Sequence, residues 1–402
     1  MDRKLKLERR EFIAAAVAAG AQLAPGAAQA LQPTRVVEER LHGRRAFVMQ
    51  NDRMRLAVLP GGGFIGEASL VSRDPRKNVN VMRVPHYQTI DPFTYDMAQH
   101  AHLYGDGIQR RLMSGYMGHF TAFPHFAASS EAELAQDYGQ HGELIAVEWR
   151  RQAASQNADL VLTAELPMTQ FNFERRVRMP ADESVAYITE TAESLVRYDR
   201  PASWTQHGAF GPPFVAVGRT SADASARNVV LGRGAQARLA DFPLLTSDDG
   251  AIRDVRPFVG TTSLWMMNRE SAHNFFALYN TDFRVLFGYV FDGANHPWLL
   301  DYQENMRVTT IPWDGRVVMR GPCFGDSVTS GLRNAVTMGS MLGAPTHGWF
   351  EARGVQTRRY AIFMAEIPER FGGVERLEVA DGRIQLWERG TRRRISVKAS
   401  LL

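Results

Sequence analysis

The sequence predicts an all-β protein, a large antiparallel β-sandwich with few short helices. Three observations predict it. Apolar residues recur with a period of two over many short segments, as half-buried strands require. Gly and Pro, 34 and 19 in 402 residues, interrupt those segments at short intervals, as turns between strands do. No long amphipathic helical stretch alternates with the strands and no G-x-G-x-x-G or Walker glycine pattern occurs, which argues against a Rossmann-type or TIM-type sheet.

In chain order, "RMRLAVLPGGG" alternates around Met54, Leu56 and Val58 before a glycine run. Ser129 opens "SSEAELAQDYG", where an N-capping serine and early glutamates predict a short helix or helical turn. "ADLVLTAELP", "FNFERRVRMP" and "SVAYITETAESLV" set Phe171, Phe173 and Val177, then Val185, Tyr187 and Thr189, on single faces. Aromatic and β-branched runs from His273 to Phe291, Arg307 to Gly325 and Arg358 to Pro368 continue the pattern, and "VERLEVADGRIQLWE" reads as a hairpin turning at Asp381-Gly382.

The first thirty residues read as a targeting segment. Arg3, Lys4, Lys6, Arg9 and Arg10 precede a small-residue apolar run, Phe12 to Leu23, which ends before Ala28-Gln29-Ala30. The paired arginines followed by Phe12 resemble a twin-arginine signal peptide, which implies cleavage after Ala30, the twin-arginine translocase as an export partner and a periplasmic destination. That run falls well short of the roughly 20 residues that span a bilayer, so no stable membrane anchor is expected. Residues 31–46 read as an N-terminal lead-in and 47–402 as one domain.

The formal net charge is +4, and the leader holds five basic and three acidic residues, which leaves +2 for the rest. Basic clusters such as Arg358-Arg359 and Arg392-Arg393-Arg394 are short and lack interleaved aromatics, so nucleic acid is not an expected partner. Cys323 is the single cysteine, which excludes an intramolecular disulfide; without a CxxC partner it reads as a small buried side chain.

"NDRMRLAVLPGGGFIGEASL", "GHFTAFPHF", "QHGELIAVEW", "SWTQHGAFGPPF" and "PWLLDYQEN" together resemble the galactose mutarotase-like (aldose 1-epimerase) superfamily, from about Phe47 to Val379. The resemblance implies a super-sandwich of two large antiparallel sheets with an open carbohydrate groove, no cofactor and no resident metal. It also implies roles: His141 as a ligand of a sugar hydroxyl or ring oxygen, His207 as general acid and Glu304 as general base of anomer interconversion. An imidazole suits proton transfer near neutral pH, and a carboxylate beside Trp298, Leu299 and Leu300 is not an obvious solvated face. Trp204 and Trp298 are candidates to stack on sugar faces, and His119 to line a polar groove. The family's Asn-Arg pair has no clear counterpart here, and Arg111 or Arg110 is the candidate substitute. "QHAH" puts His100 and His102 on one face if extended, and with His119 and His125 following it leaves a metal site as an alternative, without diagnostic ligand spacing. A lyase or hydrolase on the same sandwich, or a non-catalytic carbohydrate-binding protein, remain the competing functions.

Overall fold

The computed structural model describes residues 32–153, 159–232, 234–246 and 250–402; the leader through Ala30 lies outside them. Within Gln32–Leu402 two antiparallel sheets dominate. The seven-stranded sheet runs, in spatial order, Arg238–Asp241, Asn228–Leu231, Thr262–Met267, Trp298–Asn305, Val318–Gly325, Thr205–His207 and Phe120–Ala122. The eight-stranded sheet runs Thr220–Ala224, Asn274–Asn280, Val285–Phe291, Val355–Glu366, Val185–Ser194, Phe171–Arg178, Asp159–Leu166 and Arg150–Gln152. The fold class is the expected one.

Alternation along each strand decides which sheet face is filled. In Phe171–Arg178, Phe171, Phe173, Arg175 and Val177 are buried while Asn172, Glu174, Arg176 and Arg178 are half-exposed. Between the sheets the core carries Phe173, Trp204, Tyr289, Phe324 and Tyr360. Two strands, Asn274–Asn280 and Val285–Phe291, are buried on both faces. Their second face is covered by a three-stranded sheet, Val374–Ala380, Arg383–Glu388 and Arg394–Lys398, which packs Ile384, Leu386 and Val397 against Phe275, Ala277 and Phe363. The Asp381-Gly382 turn joins the first two of these, with both residues at positive φ as a two-residue hairpin of this kind needs.

Two sequence expectations change. The lead-in is part of the fold: Arg35–Leu41 and Arg44–Gln50 pair with each other and extend a four-stranded sheet with Met54–Val58 and Ile65–Leu70. "QHAH" is helical within Met97–Tyr104, capped by the Asp96 side chain on the Gln99 N–H, so His100 and His102 do not share a face. His100 instead accepts from the Asp96 N–H and packs on Tyr95 and Tyr104. The helix expected after Ser129 is present as Glu131–Leu134, its start tied by the Ser130 N–H donating to the Glu133 carboxylate at 2.6 Å. No helix among the described residues is long and apolar enough to cross a membrane.

Candidate functional site

Strand register places the site. Phe120 pairs with His207, His207 with Cys323, Cys323 with Leu300 and Leu300 with Trp265, one row crossing five strands of the seven-stranded sheet. The alternate row, Thr121, Gln206, Phe324 and Leu299, points to the other sheet, with Phe324 and Leu299 in the sandwich core. His207 therefore stands on the outer face, as the last residue of its strand, and floors a cavity of about 560 Å³. Leu112, Met113 and Tyr116 form one wall, Trp265 and Tyr302 the sheet side, and the helix Leu332–Met338 with Met341 the far wall.

His141 meets His207 here although 66 positions separate them in the chain: the ring centroids are 5.1 Å apart at 84°. Phe120 stacks on His207 at 4.6 Å and meets His141 edge-on at 5.1 Å. The His141 backbone is left-handed, φ 64°, and Gly142 follows at φ 84° with its Cα side against the Phe123 carbonyl, where a Cβ would come within 2.2 Å. Only glycine fits at 142, and a non-glycine residue held at positive φ carries strain that the surrounding structure must impose. Here the Ala127 carbonyl accepts from the His141 N–H at 2.9 Å, and the Ala127 N–H donates to His141 Nδ1 at 3.2 Å.

These bonds fix the tautomers. A backbone N–H only donates, so the neutral His141 imidazole carries its proton on Nε2. His207 Nδ1 sits 2.9 Å from the Gly208 carbonyl, which only accepts, so His207 carries its proton on Nδ1 and leaves Nε2 as an acceptor. Neither Nε2 is engaged by another described residue. The cavity thus presents one imidazole donor and one imidazole acceptor side by side.

Burial keeps both rings neutral. It pushes the His207 pKa down to about 4, partly offset by the Gly208 bond. His141 is held well below the usual histidine range by burial, reinforced by any charge on His207 and His125. Burial also holds the Tyr116 phenol well above its ordinary value, and does the same to the Tyr302 phenol, with the Glu304 carboxylate adding to it. The sign for stability follows. Unfolded histidine binds a proton near pH 6.5 and folded His207 only near 4, so stability is full above 6.5 and falls as pH drops through that window. For His207 alone the loss is about 3 kcal/mol. Urea midpoints at pH 7.5 and 5.0 should show about 2 kcal/mol of it, and His207→Gln should flatten the slope; an equal slope in the variant would contradict the assignment.

The remaining sequence candidates are placed elsewhere. Glu304 is on the same strand face as Leu300 and Tyr302 but beyond them, where its Oε1 accepts from the Arg307 and Val308 N–H groups and its Oε2 from the Tyr302 hydroxyl at 3.0 Å. It closes a turn and meets the cavity only through Tyr302. Trp204 lies in the inter-sheet core, its indole N–H donating to Glu190 at 3.0 Å. Trp298 is fully buried under the loop at Pro345, whose carbonyl takes its N–H at 2.6 Å. His119 is also in the core, between the hydroxyls of Tyr289 and Tyr360 at 3.0 and 2.9 Å. Arg111 borders a neighbouring recess beside Asp137 and Glu143 rather than the cavity. The side chains that do stack or line the cavity, Tyr116, Phe126, Trp265, Tyr302 and Trp313, were not singled out by sequence. Among the described residues, no group of three or more His, Cys, Asp or Glu is placed to hold a metal ion.

No protein-family model and no curated protein matches the chain in sequence. Solved structures do match in three dimensions. A galactose mutarotase-like protein from Clostridium acetobutylicum superposes with a TM-score of 0.55 at 12% identity, over 83% of this chain and 99% of its own. An aldose 1-epimerase candidate from Klebsiella pneumoniae gives 0.56 at 10% identity, over 83% of each chain. A galactose mutarotase-like protein from Lactobacillus casei gives 0.51 at 11%, over 80% of this chain and 100% of its own. The fold is galactose mutarotase-like. At these identities the likeness establishes architecture alone, and the chemistry must be argued from the cavity.

Proposed function

We propose that the protein is a carbohydrate-active enzyme of the aldose 1-epimerase type, interconverting sugar anomers by ring opening. The observation that carries this reading is the His141–His207 pair, a donor and an acceptor on one cavity floor. His207 Nε2 takes the proton of the anomeric hydroxyl as the bond from C1 to the ring oxygen breaks. The His141 Nε2–H holds that ring oxygen and stabilises its developing negative charge, as a neutral imidazole can. Protonated His207 then delivers the same proton to the ring oxygen, giving the free aldehyde. Rotation about C1–C2 and the reverse steps close the other anomer, with no net proton gained or lost. This division of labour replaces the expected pairing of His207 with Glu304, because both Glu304 oxygens already serve the turn and Tyr302. Proton NMR of anomer exchange with a panel of freshly dissolved aldoses tests the reading; no acceleration over buffer with any aldose rejects it.

We further propose that Arg9 and Arg10 direct the chain to the periplasm through the twin-arginine translocase. Replacing both by lysine should leave the full-length chain in the cytoplasmic fraction, and unchanged periplasmic recovery would reject this route.

A further inference from the structure

The cavity wall has an unusual charge balance: among the described residues that line it there is no Asp, Glu, Lys or Arg. Two charged side chains stand behind the lining. Glu304 is covered by Tyr302, and Arg83, 2% exposed, lies under Tyr116 with its guanidinium 4.8 Å from that ring. An anionic ligand placed here would lose its water without a counter-charge among the described lining residues, which disfavours it.

The lining is also divided along its length. The histidine end belongs to a cluster with Phe120, Tyr116, Met319 and Trp313. The other end belongs to a second cluster containing Val230, Val328 and Met341, with Met338 packed against it, and Thr329, Ser330 and Asn334 also line the cavity. Trp265 touches both clusters and joins them. A pyranose presents hydroxyls on every edge and would satisfy the histidine end, but it offers nothing to a patch of two valines and two methionines. Methionine fills irregular space around flexible apolar groups, and such a patch gains free energy only by covering apolar surface. The volume of about 560 Å³ lies in the range that holds a ring plus a substituent.

We propose that the cavity takes an uncharged reducing sugar carrying an apolar substituent away from C1, such as an O-acyl group. The sugar ring lies over His141 and His207 and the substituent lies among Val230, Val328, Met338 and Met341. The orientation rests on the anomer-exchange reading, since C1 must reach the histidines; the ligand class rests on the lining alone.

Titration calorimetry with glucose, galactose, their 6-O-hexanoyl esters, glucuronate and glucose 6-phosphate tests this, alongside NMR anomer exchange of the same sugars. The hexanoyl esters should bind at least about tenfold more tightly than the parent sugars, given up to roughly fourfold for each buried methylene. Their binding should also show a more negative heat-capacity change, and glucuronate and glucose 6-phosphate should bind more weakly than glucose. Met338→Asn, at a half-exposed position that tolerates a polar side chain, should narrow the ratio of ester to parent affinity. Equal affinity for ester and parent, or anionic sugars binding as well as glucose, overturns the proposal. Tight ester binding without accelerated anomer exchange keeps the ligand class and removes the anomer reading; accelerated exchange of glucose without any gain from the ester does the reverse.

Discussion

Replacing His207 by glutamine should slow anomer exchange by about 10²- to 10⁴-fold, the contribution expected of a positioned general base. Glutamine keeps polarity and approximate size on a ring-stacked position, 4.6 Å from Phe120, but it cannot accept and return a proton. The loss should therefore appear in kcat with a much smaller change in KM, the pattern of an interaction made in the transition state. His141→Asn is the informative companion. Asparagine tolerates the left-handed backbone at φ 64° and still offers an N–H, so the loss should be smaller than for His207→Gln. Glu304→Gln should lower the folded fraction through the turn at Arg307 and Val308 and leave kcat of the folded enzyme close to that of the parent. If Glu304→Gln instead matches His207→Gln in kcat, Tyr302 relays a proton to the carboxylate and the two-histidine scheme is wrong. The low His207 pKa, about 4, also sets the acid limb: catalysis by the free base persists to lower pH than for an ordinary imidazole and is lost as pH falls through that value. Phe120, Tyr116, His141 and Phe126 face the ring, and among the described residues no carboxylate acts to raise it.

Much of this was legible in the sequence because period-two alternation is a local signal. The all-β class, the Asp381-Gly382 turn and the short capped helix after Ser130 each follow from neighbouring residues, and each is found. His141 and His207 were nameable through the resemblance of the motifs around them to the galactose mutarotase-like superfamily, and the structure shows what the glycine after each one does. Gly142 lies against the Phe123 carbonyl, and Gly208 supplies the carbonyl that fixes the His207 tautomer. The misplaced candidates failed for non-local reasons. Trp204 is three positions from His207 in extended chain and so faces the opposite side, which parity alone could have told. Trp298 shares the face of Leu300 and Tyr302, and only the distant Ala344–Pro345 loop removes it from the cavity. Glu304 obeys the same parity as Tyr302 and is diverted by a turn whose N–H groups need an acceptor. His119 is in the core because two tyrosines from the opposite sheet bracket it, a contact no single strand announces.

The largest stability effect should come from the polar cluster directly beneath the site. Glu190 and Arg175, both fully buried on the eight-stranded sheet, form an ion pair of 2.7 Å. Glu190 also accepts from Gln206 Nε2 at 2.6 Å and the Thr121 hydroxyl at 2.8 Å, both on the facing sheet, and, at 3.0 Å, from Nε1 of Trp204, which immediately precedes one of its strands. Thr121 and Gln206 are the chain neighbours of Phe120 and His207, so one carboxylate ties the strands that carry the site to the sheet behind them. A burial this complete leaves no water to take over a missing partner. Glu190→Ala should therefore destabilise the fold by about 3–5 kcal/mol, chiefly by stranding the Arg175 guanidinium, and Arg175→Ala should do much the same in reverse. The paired replacement Arg175→Met with Glu190→Leu should recover a good part of that loss, because it removes both charges at similar volume. Denaturant midpoints at fixed slope give the comparison. Should each single variant lose less than about 1 kcal/mol, within the range of an exposed pair, then the cluster does not hold the two sheets in register and the positioning of His207 must be sought in Phe120 and the Gly208 carbonyl alone.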